Sequence, residues 1–230
     1  MRRRTIVWEG IQLGIIAAMF VAAAIRWPSL PERIPVHWDV SGQVDGYGGK
    51  FAGLLLLPMV AVGLYLLLRF IPRIDPARAN YESFAGTYLL IRVVLMVYLG
   101  YFYLVMNLAL GEPEGFPFDQ LVYGAVAVLF IVLGAAMGKI RPNWFAGVRT
   151  PWTLSSKLSW VKTHRIAGWV FIASGAVTGI AAVFSGPAAF VVMMATILPG
   201  TAFLFVYSYW VWRDDPDRVA AQDTTPAESP

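Results

Sequence analysis

The chain has 230 residues, of which 58% are hydrophobic and only 14% are charged, and its mean hydropathy is +0.62. Soluble domains carry about 25% charged residues, so the composition excludes an ordinary soluble protein. The chain contains no cysteine, which excludes disulfides, thiolate catalysis and cysteine-ligated metals. Its net charge is only +4, and its basic residues lie in short connections rather than along one stripe, which argues against direct nucleic-acid binding.

The apolar residues form segments long enough to cross a bilayer, which takes about 20 residues in a helix. Six segments qualify: 6–25, 52–71, 84–110, 119–138, 166–184 and 188–212. We interpret the first as a retained span rather than a signal peptide, because its apolar run is longer than a signal core. The sequence therefore predicts an all-α polytopic membrane protein with about six transmembrane helices and a small extracellular loop structure after the first helix.

Lysine and arginine are divided unequally between the two sides of these spans. Fourteen fall on one side, three (Arg26, Arg33 and Lys50) fall on the other, and Arg92 lies within a span. Because positive charge is retained on the cytoplasmic side, we expect a plasma-membrane protein with both termini in the cytoplasm. The loop 27–51 and the acidic loop Glu112–Glu114 are then extracellular.

Three regions follow from this reading. Residues 1–138 form an N-terminal membrane half with four spans and the extracellular loop 27–51. Residues 139–212 contain a long cytoplasmic loop and the last two spans. Residues 213–230 are acidic and poor in apolar residues, which predicts a disordered cytoplasmic tail.

The extracellular loop has a composition that predicts local structure. Residues 34–40 alternate between apolar and polar side chains and are flanked by proline and glycine, which favours a short strand and a turn. Gly42 is one of four glycines that permit a tight turn here. His37, Asp39 and Asp45 offer a weak metal-binding signal, since only one histidine is present. The favoured interpretation is a folded extracellular cap that contacts a ligand or the outer ends of the helices.

The cytoplasmic loop is the second segment of unusual composition. Thr153 is a good N-cap, so residues 154–165 are predicted to be helical. On that helix Lys157, Trp160, Val161 and His164 are spaced to share one face. Such a basic and aromatic face is typical of an interfacial membrane anchor, and its alternative role is a docking surface for a cytoplasmic partner.

One intramembrane charge needs a partner. Arg92 lies about 12 Å inside the third span by helical rise, and Glu9 and Gln12 lie at a similar depth in the first span. A lone charge at that depth is unfavourable unless it pairs or reaches the headgroups. We therefore predict a buried pair between Arg92 and Glu9 or Gln12, with extension of Arg92 to the headgroups as the alternative.

The inventory of catalytic residues is small. The two histidines, His37 and His164, fall on opposite sides of the membrane, so no site contains both, and the sequence holds no phosphate-binding glycine loop. We therefore predict no catalytic residues, no metal and no cofactor. A small transporter or channel, a membrane enzyme acting on peptide or lipid, and a purely structural subunit remain alternatives.

The two loops also carry a family resemblance. The stretch Arg141–Leu154 (RPNWFAGVRTPWTL), followed by Trp160–Arg165 (WVKTHR), closely resembles the signature of the SdpI family of bacterial membrane proteins. The stretch 30–47 resembles the uncharacterised N-terminal domain that accompanies this signature. The resemblance covers about residues 10–212.

This resemblance implies a function in immunity and signalling. It implies that the protein gives immunity to, or senses, a secreted antimicrobial peptide outside the cell, and holds a small transcriptional repressor at the membrane inside. The outer binding residues would then be His37, Trp38, Asp39 and Gly42. The inner ones would be Asn143, Phe145, Gly147, Arg149, Thr150, Pro151, Trp152, Thr153, Trp160, His164 and Arg165. These inner residues have a structural alternative: they could fix the loop, or Arg149 could bind lipid phosphates.

Overall fold

The structure is a computed structural model that describes residues 2–111 and 115–218, with side chains from Ile6 onward in the first helix. The predicted acidic loop Glu112–Glu114, the side chains of the N-terminal arginines and residues 219–230 of the predicted tail lie outside the described residues. The helices are α1 (Arg2–Arg26), α2 (Leu56–Ile74), α3 (Ala85–Ala109), α4 (Phe118–Met137), the short α5 (Pro151–Ser155), α6 (Lys157–Phe184) and α7 (Gly186–Arg213). A π-helical turn, Phe51–Leu55, leads into α2, and a 3-10 segment, Arg78–Phe84, leads into α3.

In the described part of the chain, six helices are long and apolar enough to cross a membrane. A two-stranded antiparallel hairpin, β1 (Arg33–Trp38) and β2 (Val44–Gly49), follows α1. These elements confirm the predicted all-α polytopic fold with a small structure after the first helix. Apolar side chains on the outer faces of the helices are exposed, as lipid contact requires; they include Ile180, Val183, Phe184, Val191 and Leu198.

Consecutive spanning helices run in opposite directions, so the connections gather at two ends of the bundle. The hairpin end comprises the hairpin, residues 115–117 and Ser185. The basic end comprises residues 75–84, 138–156 and 214–218, together with the start of α1. Because no membrane is present in the structure, these names describe the molecule without assigning a side of the membrane.

The last spans are held together by close backbone contact. A Cβ atom at Gly134 of α4 would lie 2.7 Å from the Gly168 carbonyl oxygen of α6, and one at Gly175 would lie 2.6 Å from the Ala127 carbonyl oxygen. Small residues let membrane helices approach in this way and gain van der Waals contact. Ser185 then turns the chain directly from α6 into α7, and its side chain accepts a hydrogen bond from the Ala188 amide.

The first three spans pack around an apolar core. Ile16 and Met19 of α1, Ala61 of α2, and Met96 and Tyr103 of α3 form this cluster. Polar side chains lie on either side of it along the bundle: the Glu9–Arg92 region toward the basic end, and Arg26, which donates to the Asn107 carbonyl oxygen at 2.8 Å, toward the hairpin end.

Two boundaries differ from the sequence predictions. Ser156, not Thr153, is the N-cap of the fifth long helix: its extended backbone and its hydroxyl, which accepts from the Ser159 amide at 2.9 Å, start α6 at Lys157. The predicted disordered tail also begins too early. Residues 214–218 are described, and Asp215 is buried because its carboxylate accepts a hydrogen bond from the Ser156 hydroxyl.

Candidate functional site

The hairpin has a rigid turn built on Asp39. Its Oδ1 atom accepts hydrogen bonds from the Ser41 amide at 2.8 Å, the Ser41 hydroxyl at 2.7 Å and the Gln43 amide at 3.0 Å. Gly42 has a φ of +78°, which favours glycine at the tip of the turn. The hydrogen bonds from the Ser41 side chain and the Gln43 backbone hold the pKa of Asp39 below its ordinary value.

The hairpin contacts the helical part of the chain at three points. Ile34 of β1 is buried over Gly53, where a Cβ atom would lie 2.5 Å from the Ile34 Cδ1 atom. Trp38 stacks on Phe118 of α4 with ring centroids 4.3 Å apart. The tip at Gly42 lies so close to α4 that a Cβ atom there would meet the Asp119 amide nitrogen at 3.1 Å.

A cavity of about 480 Å³, which we call the hairpin cavity, lies between the hairpin and the ends of α2, α3 and α4. Its apolar walls include Val36, Leu57, Val60, Phe102 and Met106. Few of its described side chains are polar, and these include His37, Asp39, Asp119 and Tyr123. A largely apolar pocket of this size with a few convergent polar groups is typical of a ligand site.

The residues predicted to bind a ligand on the outer side therefore lie at this cavity, but they differ in their structural roles. His37, Trp38 and Asp39 line it, whereas Gly42 forms the tip that touches α4. The Nδ1 atom of His37 lies 2.5 Å from Asp45 Oδ1. Among the described residues, no three histidine or acidic side chains converge on a possible metal position.

At the basic end, Asn143 organises the loop 139–150, which we call the signature loop. Its side-chain nitrogen donates to the carbonyl oxygens of Arg141 and Ala146, and its Oδ1 atom accepts from the amides of Phe145 and Ala146. Asn143 is almost completely buried. One side chain thus satisfies four backbone groups, and its role is to fix the loop.

His164 of α6 holds the other half of the signature loop. The Val148 amide donates to its Nε2 atom at 3.1 Å, and its Nδ1 atom lies 2.8 Å from the Trp160 carbonyl oxygen. This network assigns the neutral tautomer with the proton on Nδ1. The ring stacks on Trp160 with centroids 4.0 Å apart. Gly147 has a φ of +106°, and a Cβ atom there would lie 2.2 Å from His164 Nε2.

Threonines anchor the end of the signature loop. Thr150 and Thr153 form a capping box at α5, with Pro151 in its first turn. The Thr150 hydroxyl also hydrogen-bonds Ser208 of α7 at 2.9 Å. Trp152 packs edge-on against two aromatic rings of α7, at centroid distances of 4.8 Å and 5.2 Å, and these rings belong to Phe205 and Tyr209.

The signature loop is joined to the N-terminal half by Asp75, a residue that the sequence interpretation missed. Asp75 is buried, and its carboxylate accepts from the Ala77 amide at 2.7 Å, the Tyr81 hydroxyl at 2.8 Å and the Trp144 amide at 3.0 Å. Asn80 adds a hydrogen bond to the Pro142 carbonyl oxygen at 2.7 Å. The only sequence signal was an Asp-Pro pair at the end of the second span, which marks a turn but names no partner.

The inner residues predicted to bind a partner divide into buried and exposed sets. The buried set is Asn143, Thr150, Thr153, Trp160 and His164, and a partner cannot reach their side chains. The predicted surface helix face is therefore wrong in part, because Trp160 donates to the Ile140 carbonyl oxygen at 2.9 Å inside the fold. The exposed set is Phe145, Gly147, Arg149, Pro151 and Arg165, Trp152 is half-buried, and the neighbouring Trp144 is exposed as well.

The structure also brings Glu9 and Arg92 together. The guanidinium donates two hydrogen bonds to the carboxylate, at 2.8 Å and 3.0 Å. The Tyr65 hydroxyl donates to the same carboxylate at 2.7 Å, and Arg69 lies 3.6 Å from it. Gln12, the other proposed partner, instead donates to the Trp8 carbonyl oxygen at 3.0 Å.

Comparison with known proteins agrees with both loop motifs. Residues 139–208 match the model of the SdpI/YfhL protein family, and residues 14–62 match a domain of unknown function, DUF1648. Immunity protein SdpI of Bacillus subtilis (strain 168) is 23% identical over 203 residues, which cover 88% of this chain and 95% of that protein. Uncharacterized membrane protein YbgB of the same strain is 35% identical over 49 residues, which cover 21% of this chain and 54% of that protein. No solved structure matches.

These matches carry the residues on which the resemblance rested. The SdpI/YfhL match contains the signature loop, α5, the whole of α6 and most of α7, and the DUF1648 match contains the second half of α1 and the whole hairpin. With the relative aligned over almost its full length, the chain is a multi-pass membrane protein that is similar to the SdpI/YfhL family.

Proposed function

We propose that this chain is a non-catalytic immunity-type protein of the bacterial plasma membrane, which binds a secreted antimicrobial peptide in the hairpin cavity. The observation that carries the proposal is a match over nearly the full length of a relative named as an immunity protein. The hairpin cavity supports it physically, because it is an apolar pocket at the end of the bundle. A peptide that inserts into membranes presents apolar side chains, which such a pocket can bury.

The proposal includes an orientation. The hairpin end must face outward to meet a secreted peptide, and the basic end must face the cytoplasm. The distribution of lysine and arginine supports this, with fourteen on the basic side against three on the hairpin side. Both termini are then cytoplasmic.

A second part of the proposal concerns signalling. We infer that the signature loop holds a small transcriptional repressor at the cytoplasmic face when the peptide is bound. The support is the exposed group formed by Trp144, Phe145, Arg149 and Arg165 on an otherwise rigid loop. Aromatic residues and arginine are enriched where proteins dock, and Asp75 connects this loop to the half of the chain that carries the hairpin.

Two of the alternatives receive less support from the contacts within the bundle. A transport path needs polar groups across the bundle, but the apolar cluster containing Ile16, Met19 and Met96 separates the Glu9–Arg92 pair from Arg26. An enzyme that uses His164 as its acid–base group is disfavoured because His164 is buried and both of its ring nitrogens are engaged within the fold, by the Val148 amide and the Trp160 carbonyl oxygen.

The test is complementation in Bacillus subtilis. A strain lacking Immunity protein SdpI would express this chain, and its survival would be counted in co-culture with the parent strain. We expect restored survival, and we expect Val60→Trp, which fills the hairpin cavity, to abolish it. Val206→Trp is the matched control, since Val206 is exposed to a similar degree, 45% against 48% for Val60, but lies on α7 away from the cavity. Absence of protection at verified membrane levels would refute the proposed function.

A further inference from the structure

We propose that the hairpin cavity recognises a basic side chain flanked by apolar residues, so that the bound peptide places a lysine or arginine between Asp39 and Asp119. This inference rests on the proposed function for the identity of its ligand as a peptide. It adds the chemical class that the cavity selects.

Among the described residues that line the cavity, the aspartate and arginine or lysine types are represented only by aspartates. Asp39 comes from the hairpin turn and Asp119 from the first turn of α4, and none of the described residues that line the cavity is a lysine or arginine. His37 has its Nδ1 atom on Asp45, and Asp45 lies outside the lining. Two carboxylates therefore face an apolar space without a cation among the described lining residues.

Asp119 is the more available of the two carboxylates. Its side chain has no hydrogen bond or ion pair to any described residue and is half-buried. It lies in the first turn of α4 and beside Gly186 at the start of α7, where a Cβ atom would fall 2.1 Å from its Oδ2 atom. Asp119 therefore lies at two helix N-termini, whose partial positive charge attracts a carboxylate, and no described side chain pairs with it.

Asp39 contributes its second oxygen. The three hydrogen bonds that build the turn all go to Oδ1, which leaves Oδ2 to accept from a ligand. A guanidinium or ammonium group donates several hydrogen bonds, and charge-assisted bonds to carboxylates are the strong ones. The apolar walls at Leu57, Val60 and Met106 would cover the side chains next to the basic residue.

Other occupants fit the cavity less well. A phospholipid headgroup would bring its phosphate against two carboxylates, which repel it. An apolar peptide segment without a basic residue would leave both carboxylates desolvated and unpaired, which is unfavourable. A basic residue flanked by apolar residues places apolar side chains against the cavity walls and a positive charge beside the two carboxylates.

The test measures the binding of two synthetic probes to the full chain in zwitterionic lipid nanodiscs. The probes are dansyl-Trp-Leu-Lys-Leu-Trp-amide and the same peptide with glutamine in place of lysine, and empty nanodiscs give the blank for partition into lipid. We expect the lysine probe to bind with a Kd about tenfold lower than the glutamine probe, as judged by fluorescence anisotropy. Raising the NaCl concentration from about 0.1 to about 0.5 M reduces the ratio because salt screens the charges.

Variants assign the preference to the cavity. Asp119→Asn and Asp39→Asn should each reduce the ratio to about twofold or less. Both keep the side-chain shape, and in the second variant the amide oxygen can still accept the hydrogen bonds that build the turn. Glu32→Gln is the matched control, since it removes one negative charge at the same end but lies outside the cavity, paired with Lys50 at 3.0 Å. It should leave the ratio unchanged. Val60→Trp should abolish binding of both probes.

Three results would overturn the inference: equal affinities for the two probes, no binding above the blank, or an equal loss of preference in Glu32→Gln. The survival assay separates this inference from the proposed function. Protection without charge preference would leave the immunity function standing and remove the inference. A charge preference that depends on Asp119, in a chain that gives no protection, would leave the inference standing and remove the immunity function.

Discussion

The guanidinium of Arg92 in α3 donates two hydrogen bonds, of 2.8 Å and 3.0 Å, to the carboxylate of Glu9 in α1. Tyr65 of α2 donates to the same carboxylate, so this one group joins the first three spans. The side chain of Arg92 is only 7% exposed and that of Glu9 only 18%. The pair therefore sets how α1, α2 and α3 associate toward the basic end.

This pair predicts a characteristic pattern of stability. Glu9→Leu leaves a buried guanidinium without its partner, which lowers the free energy of unfolding by about 3–5 kcal/mol. Adding Arg92→Leu removes the unpaired charge, so the double variant should recover most of that loss. Unfolding in mixed micelles with increasing dodecyl sulfate measures the effect. Additive losses from the two changes would contradict a direct pair. Tyr65→Phe, which removes one hydrogen bond to the charged carboxylate, should lower the free energy of unfolding by about 1.5–3 kcal/mol.

The sequence was sufficient for features that depend on local composition or on the energy of a lone charge. Hydropathy located the spans, and the unfavourable energy of Arg92 in the bilayer pointed to Glu9 or Gln12 as a partner, of which the structure has Glu9. Asp75 could not be found in this way, because its distant partner is the backbone amide of Trp144, which no side-chain type in the sequence marks. The start of α6 differs from the prediction because both Thr153 and Ser156 are suitable caps, and the choice depends on Thr150 forming its own capping box.

Gly147 and His164 give a second prediction. Gly147→Ala forces a side chain into a left-handed backbone conformation, which costs about 1–3 kcal/mol, and pushes its Cβ atom against the His164 ring. We expect the signature loop to open, so that trypsin cleaves after Arg149 faster in nanodiscs. Gly138→Ala is the control, because nothing lies within 4 Å of that Cβ position and the backbone is already helical. Equal cleavage rates for the two variants would show that Gly147 does not hold the loop.

Asp75 gives a third prediction about the junction between the two halves. Asp75→Ala leaves the Tyr81 hydroxyl and the Ala77 and Trp144 amides without their acceptor, and each unsatisfied buried group costs about 1–3 kcal/mol. Thermal unfolding in detergent should therefore shift to a clearly lower temperature, and Tyr81→Phe should produce a smaller shift. Asp214→Asn serves as the control, since Asp214 is exposed and paired only with its neighbour Arg213 among the described residues. An Asp75→Ala protein as stable as this control would argue against a junction at Asp75.

The contact between α4 and α6 gives a fourth prediction. Gly175→Ala places a Cβ atom 2.6 Å from the Ala127 carbonyl oxygen, and Gly168→Ala places one 2.8 Å from that of Gly134. The backbone carbonyl groups cannot shift locally to make room for the new methyl groups. The helices α4 and α6 must therefore move apart, and they lose contact along their length. We expect both variants to unfold at lower dodecyl sulfate than the parent. Gly124→Ala on α4 has open space around the new methyl group and should be neutral or slightly stabilising, since alanine favours a helix over glycine by about 1 kcal/mol.

The orientation of the bundle gives the last prediction, and the absence of cysteine from the chain makes it direct. Ser41→Cys puts a thiol on the exposed hairpin turn, and Ser83→Cys puts one on the exposed 3-10 segment at the basic end. If the basic end is cytoplasmic, as the positive-inside rule requires, a membrane-impermeant maleimide should label the first variant in intact cells. It should label the second only after permeabilisation. The reverse pattern would place the hairpin cavity inside the cell, where no secreted peptide reaches it, and would remove the physical basis of the immunity proposal.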